Sequence, residues 1–174
     1  MCPAADQVEV VREMALRCLD RRAYGTAELK AVLLRKGAEE SVIDDVLSRL
    51  ARVGLLDDVA YAESLVEQRH GARHQSRQAV TLEMRRRGLS PEVVDEATAS
   101  LDDASDVAGA RLLVAQRLPR LAGLDRAVKW RRLCGLLARK GYSPGVVADV
   151  VHDALGEEDL SGTYPQSPAS LGKV

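Results

Sequence analysis

His70 and His74 stand four residues apart, a spacing that puts two imidazoles on one helical face and could hold a divalent metal. Gly71 interrupts the segment, and no Cys or Glu accompanies the pair at ligand spacing, so a solvated pair is the simpler reading. Cys2, Cys18 and Cys134 are far apart and contain no CxxC pair. They suggest neither a zinc site nor a disulfide framework, and they suit a reducing setting. The acidic pairs Asp44-Asp45, Asp57-Asp58 and Asp102-Asp103 have the residue type for general acid–base work. The last two fall at expected helix starts, where a carboxylate offsets the positive end of the helix dipole. Ser76, Ser90 and Ser143 read as helix caps and not as nucleophiles. There is no GxxxxGK[ST] loop, and no GxGxxG follows a strand pattern. Catalysis is therefore not expected, and neither a cofactor nor a metal is called for.

The chemistry that remains is electrostatic. The 174 residues carry 25 Lys+Arg and 26 Asp+Glu, a net charge of -1 that hides a strong division. Between Arg69 and Arg87 there are six arginines and one acid, Glu83. Between Arg111 and Lys140 there are nine basic residues and one acid, Asp125. The acids gather at Glu39, Glu40, Asp44 and Asp45, and again from Glu92 to Asp106. A basic stripe is the footprint of a polyanion, and an acidic one suits a basic protein surface. Arg outnumbers Lys 20 to 5, and guanidinium groups favour bidentate contacts to phosphate or carboxylate. The candidate contact residues are Arg69, Arg73, Arg77, Arg85, Arg86, Arg87, Lys129, Arg131, Arg132, Arg139 and Lys140. Aromatics are only 3%, so base stacking is scarce. Trp130 alone sits amid positive charge, and core packing explains it as well. DNA binding by this chain would be led by phosphate and weakly sequence-specific.

The elements that carry these charges repeat. Arg35-Lys36-Gly37, Arg86-Arg87-Gly88 and Arg139-Lys140-Gly141 share one pattern. Four residues before each glycine stands Leu33, Met84 or Leu137, and eight before stands Leu29, Val80 or Leu133. That is helical spacing, and a Gly after a basic residue ends a helix well. Ser90-Pro91 and Ser143-Pro144 then restart one. Upstream helices are expected over Val10 to Arg21, Val59 to His70 and Val107 to Leu118. The fold class is therefore all-α, in three units of three helices, spanning 9–56, 57–102 and 103–155. The Gly-, Ser- and Pro-rich residues 156–174 read as a disordered tail. No signal peptide and no apolar run of membrane-spanning length is evident, so a cytoplasmic chain with no membrane partner is expected.

The stretch Leu55-Leu56-Asp57-Asp58-Val59-Ala60-Tyr61-Ala62-Glu63 resembles the central motif of the RecX family, bacterial modulators of the recombinase RecA. Leu82-Glu83-Met84-Arg85-Arg86-Arg87-Gly88-Leu89-Ser90 is similar to the family's second repeat, and the stretches from Trp130 and from Ala138 to its third. Gly37, Asp58, Tyr61, Gly88 and Gly141 are the structural positions of that pattern. Arg73-His74-Gln75-Ser76 departs from it, because the family tends to show a glycine there. The resemblance implies tandem three-helix repeats in an elongated, curved arrangement. It implies binding to RecA and to the RecA–single-stranded DNA filament, with inhibition of filament growth, ATP hydrolysis and strand exchange. It also implies weak non-specific DNA binding. The alternative is a DNA-binding module that uses a three-helix unit and its basic face without RecA.

Overall fold

The computed structural model describes residues 3–156. The expected tail, from residue 157 onward, lies outside the described residues. Nine α-helices and no strand occur among them. They are α1 (Pro3–Leu19), α2 (Thr26–Arg35), α3 (Glu40–Arg52), α4 (Asp58–Val66), α5 (Arg77–Arg86), α6 (Pro91–Ala97), α7 (Asp103–Arg117), α8 (Arg126–Arg139) and α9 (Pro144–Leu155). The order is three consecutive triplets, and every extensively packed helix pair belongs to a single triplet. None of these helices is long and apolar enough to cross a membrane.

Each triplet closes around its middle helix. The residues eight and four before the terminal glycine are fully buried in all three: Leu29 and Leu33, Val80 and Met84, Leu133 and Leu137. Each such pair lies on one stripe of its helix, and burial of each side chain stabilises by about 1.5–3 kcal/mol. The third helix of each triplet adds the opposite wall: Ile43, Val46, Leu47 and Leu50 on α3, Val94 on α6, and Val147, Val150 and Val151 on α9. The first and third core clusters hold ten buried residues each and the second only seven, so the middle triplet leans most on its neighbours.

Helix ends follow local chemistry. Gly37, Gly88 and Gly141 take φ of +84°, +81° and +86°, the left-handed C′ conformation that a Cβ disfavours. Asp57 accepts hydrogen bonds from the backbone N–H of Val59 and Ala60. Asp102 and Ser105 form a reciprocal capping box. Ser76, Ser90 and Ser143 accept from the N–H groups of Ala79, Val93 and Val146. Two upstream helices end differently from their apolar pattern. The α4 helix widens after Val66 into a π-turn over Glu67–Gly71, which swings Arg69 toward α5. The α7 helix tightens at Leu118–Leu121 into a 3₁₀ turn, where Pro119 has no N–H to continue the α-ladder.

Candidate functional site

The two joints between triplets use the same parts. At the first, Asp58 reaches back from α4 and accepts the Thr26 backbone N–H at 2.7 Å, satisfying an orphan donor at the start of α2. At the second, Asp106 on α7 accepts the Arg77 N–H at 2.8 Å, at the start of α5. Thr26 and Arg77 stand equally far before Gly37 and Gly88, so one device is used twice. The terminal glycine of the following triplet abuts the same helix start. A Cβ on Gly88 would lie 2.7 Å from the Ala27 Cβ, and one on Gly141 would lie 2.7 Å from the Ala79 Cβ.

Around this shared frame the joints diverge. The first is sealed by charged side chains. The Tyr61 hydroxyl donates to Glu28 at 3.0 Å and accepts from the Arg87 guanidinium. Arg87 also pairs with Glu83 at 2.6 Å, Arg69 reaches Glu83 at 2.8 Å, and Arg22 holds Glu28 at 2.7 Å. Burial raises the pKa of Glu28, but the hydrogen bonds from Arg22 and Tyr61 and the charges of Arg22 and Arg87 outweigh it and hold the carboxyl below its ordinary range. Glu83 is likewise held low, with burial outweighed by Arg69 and Arg87.

The second joint is sealed mostly through backbone. Ser76 donates its N–H to the Lys140 carbonyl at 3.0 Å and its hydroxyl to the Gly141 carbonyl at 2.6 Å. Lys140 Nζ donates to the Arg73 carbonyl at 2.6 Å. Tyr142 donates to the His74 carbonyl at 2.9 Å, in space that any Cβ on Gly109 would close to 2.7 Å. Burial, with the Asp106 charge behind it, pushes the Tyr142 phenol up to about 12. His74 adopts φ +48°, which aims its carbonyl at that phenol and defines the loop where the family pattern was broken. His70 Nδ1 lies 2.9 Å from the Gln75 carbonyl, so its ring serves the loop. Among the described residues no group of three or more His, Cys, Asp and Glu could hold a metal.

The eleven basic candidates divide accordingly. Arg69 and Arg87 do not lie on an open face: their side chains are 17% and 22% exposed, Arg69 pairing with Glu83 inside the second triplet and Arg87 reaching across the first joint to Glu28 at 3.5 Å. Lys140 is tied to a carbonyl of the second joint. Arg73, Arg77, Arg85, Arg86, Arg131, Arg132 and Arg139 are exposed, and Lys129 is half-buried. Among the described residues none of these eight makes an ion pair. Arg132 and Arg139 share one side of α8, two turns apart, whereas Arg131 points about 100° away. Arg77 and Arg85 line a cleft of about 580 Å³ between the second and third triplets, faced by Asp95, Asp103 and Asp106. Trp130 packs against the third core cluster. The first triplet differs in degree: Arg12, Arg17, Arg22, Lys30 and Arg49 pair with carboxylates, whereas Arg21, Arg35, Lys36 and Arg52 are exposed and make no ion pair among the described residues. Sequence reading missed Gly25, Ala27, Ala79, Asp106 and Gly109 as joint residues. Ala27 and Ala79 stand ten and nine residues before their glycines, and Asp58 and Asp106 thirty and thirty-five before theirs, so no fixed spacing marked them.

The profile of the RecX first three-helix domain matches residues 12–50, and that of the second matches residues 57–97. The regulatory protein RecX of Streptomyces coelicolor is 40% identical over 90% of this chain and 83% of its own length. That of Thermobifida fusca is 38% identical over 88% of this chain and 83% of its own. The crystal structure of RecX from Lactobacillus salivarius superposes with a TM-score of 0.69 at 19% identity, covering 86% of this chain and 97% of that one, which bears on the fold.

Proposed function

The chain belongs to the RecX family of regulatory proteins, and from that premise we propose that it docks on the recombinase RecA and on the RecA–single-stranded DNA filament. Docking there would limit filament growth, ATP hydrolysis and strand exchange. We further propose that it does so in the cytoplasm, with no membrane partner and no catalysis of its own. Each triplet then acts as one module, over 57–102, 103–155 and, since α1 begins at Pro3, over 3–56 in place of the expected 9–56.

The observation that carries this reading is the uneven neutralisation of charge. Among the described residues the third triplet pairs one of its nine cations with a carboxylate, Arg111, and the second pairs two of six, whereas the first pairs five of nine. Unpaired guanidinium groups meet phosphate or carboxylate on a partner at little cost in broken pairs. The mixed charge of the cleft at Arg77 and Arg85 favours a protein surface there over naked nucleic acid.

The test is RecA-catalysed ATP hydrolysis on single-stranded DNA with substoichiometric protein, read beside cosedimentation with the filament. Inhibition is expected, and Arg131→Glu with Arg132→Glu should weaken it at least tenfold while helicity by circular dichroism stays unchanged. An unchanged hydrolysis rate with wild-type protein refutes the proposal. Tight, salt-steep binding to naked duplex without RecA would favour a plain DNA-binding module.

A further inference from the structure

The joint frame that occurs twice as a filled contact occurs a third time with nothing in it. Val10 precedes Gly37 by the same 27 residues that separate Tyr61 from Gly88, and Gln7 holds the register of Asp58. In the filled joints the terminal glycine is pressed against an alanine at a helix start; around Gly37 a Cβ would meet nothing within 4 Å. A groove of about 370 Å³ opens at this place, lined by Asp6, Gln7, Val10, Met14, Gly37 and Val42 among others. Val10, at the register of the joint-sealing Tyr61, is 58% exposed. The first triplet thus displays the receiving half of a joint whose donor half is the first turn of a helix.

The other end of the chain does not supply that donor. The α8 helix has 14 residues where α2 and α5 have 10, so its start is carried one turn beyond the joint register. At that register stand Lys129, Arg131 and Arg132, where the inner joints place Gly25 or Ser76 and the small residues Ala27 and Ala79. These long cations cannot approach a glycine as Ala27 and Ala79 do. A second copy stacked head to tail in the inner-joint register would press Arg131 and Arg132 onto Gly37.

We propose that the Gly37 groove receives the first turn of a helix on the protein partner, one that begins on small residues such as Ala, Gly or Ser. This rests on the reading that the partner is the recombinase. Charge supports the occupant: Asp6 and Glu39 line the groove and complement the positive end of a helix dipole. Lys36 stands at the register of Arg87 and Lys140, which in the filled joints bond a carboxylate or a carbonyl of the received element. The groove is a protein-reading contact, and the exposed cations of α8 are the polyanion-reading one.

The experiment uses the full chain. Val10→Glu alters an exposed side chain, so the fold is retained, and it places a charge in the apolar floor. Binding to RecA without DNA should weaken at least tenfold, about 1.4 kcal/mol, whereas Arg131→Glu with Arg132→Glu should leave that DNA-free binding within twofold. A benzophenone residue placed at Gln7 should cross-link, on irradiation, to a recombinase peptide at a helix start. If wild-type protein fails to bind RecA at all, the proposed function falls and this inference with it. If wild type binds and Val10→Glu binds equally, or the cross-link joins two copies of this chain or a strand or loop of RecA, the groove assignment alone falls.

Discussion

The two joints solve one geometric problem with different chemistry. Both cap a helix start with an aspartate from the next triplet and press a glycine onto an alanine. Across the first, Tyr61 and Arg87 bind Glu28, with Arg22, Arg69 and Glu83 holding those partners in place; around the second, carbonyl oxygens do most of that work. Half-buried ion pairs hold only while their carboxylates stay ionised, whereas backbone bonds tolerate a wide range of pH and salt. The chain therefore has one joint that leans more on ionised side chains and one that leans more on backbone, on either side of its smallest core.

The largest expected difference comes from filling the glycines. Gly141→Ala forces a Cβ to 2.7 Å from Ala79 and 2.9 Å from Ser76 Oγ in a left-handed backbone, and should cost about 2–4 kcal/mol. Gly37→Ala meets open space and should cost only the backbone strain, about 1–2 kcal/mol. Urea unfolding of the two variants checks this; equal losses would refute the idea that the joints are held by close approach.

Next comes Arg87→Met, which strands Glu28 and Glu83 with fewer partners in half-buried surroundings and should destabilise by about 1–2 kcal/mol. Lys140→Met, at the other joint, removes a single exposed hydrogen bond and should stay below about 1 kcal/mol. Thermal melts at moderate salt would rank them, and the reverse order would contradict the assignment of the ionic seal to the first joint.

Acid gives the smallest and most selective effect. Glu28 and Glu83 have folded pKa values below their ordinary range, so their stabilisation is complete above that range and is lost as pH falls through the depressed values. Amide exchange at Thr26 to Leu29, corrected for intrinsic rate, should accelerate on acidification before exchange at Arg77 to Val80 does. Simultaneous loss at both sites would show that the joints are not chemically distinct.

Much of this was legible in the chain. The buried pairs Leu29 and Leu33, Val80 and Met84, and Leu133 and Leu137 sit where the spacing before the glycine placed them. The caps at Ser76, Ser90 and Ser143 were read from side-chain chemistry that acts within one turn. Clustering in sequence proved a poorer guide to exposure. Arg69 and Arg87 belong to the densest basic run, yet a π-turn and a half-buried acid draw them inward.

The sequence by itself determined the helices, their ends and the burial of their apolar stripes, because propensity, capping and 3.6-residue periodicity are short-range properties. Only the tertiary structure decided which cations are spent inside the molecule and which copy of the joint is left open. Those outcomes depend on distances between residues that lie far apart along the chain, and on whether another triplet is there to fill the space.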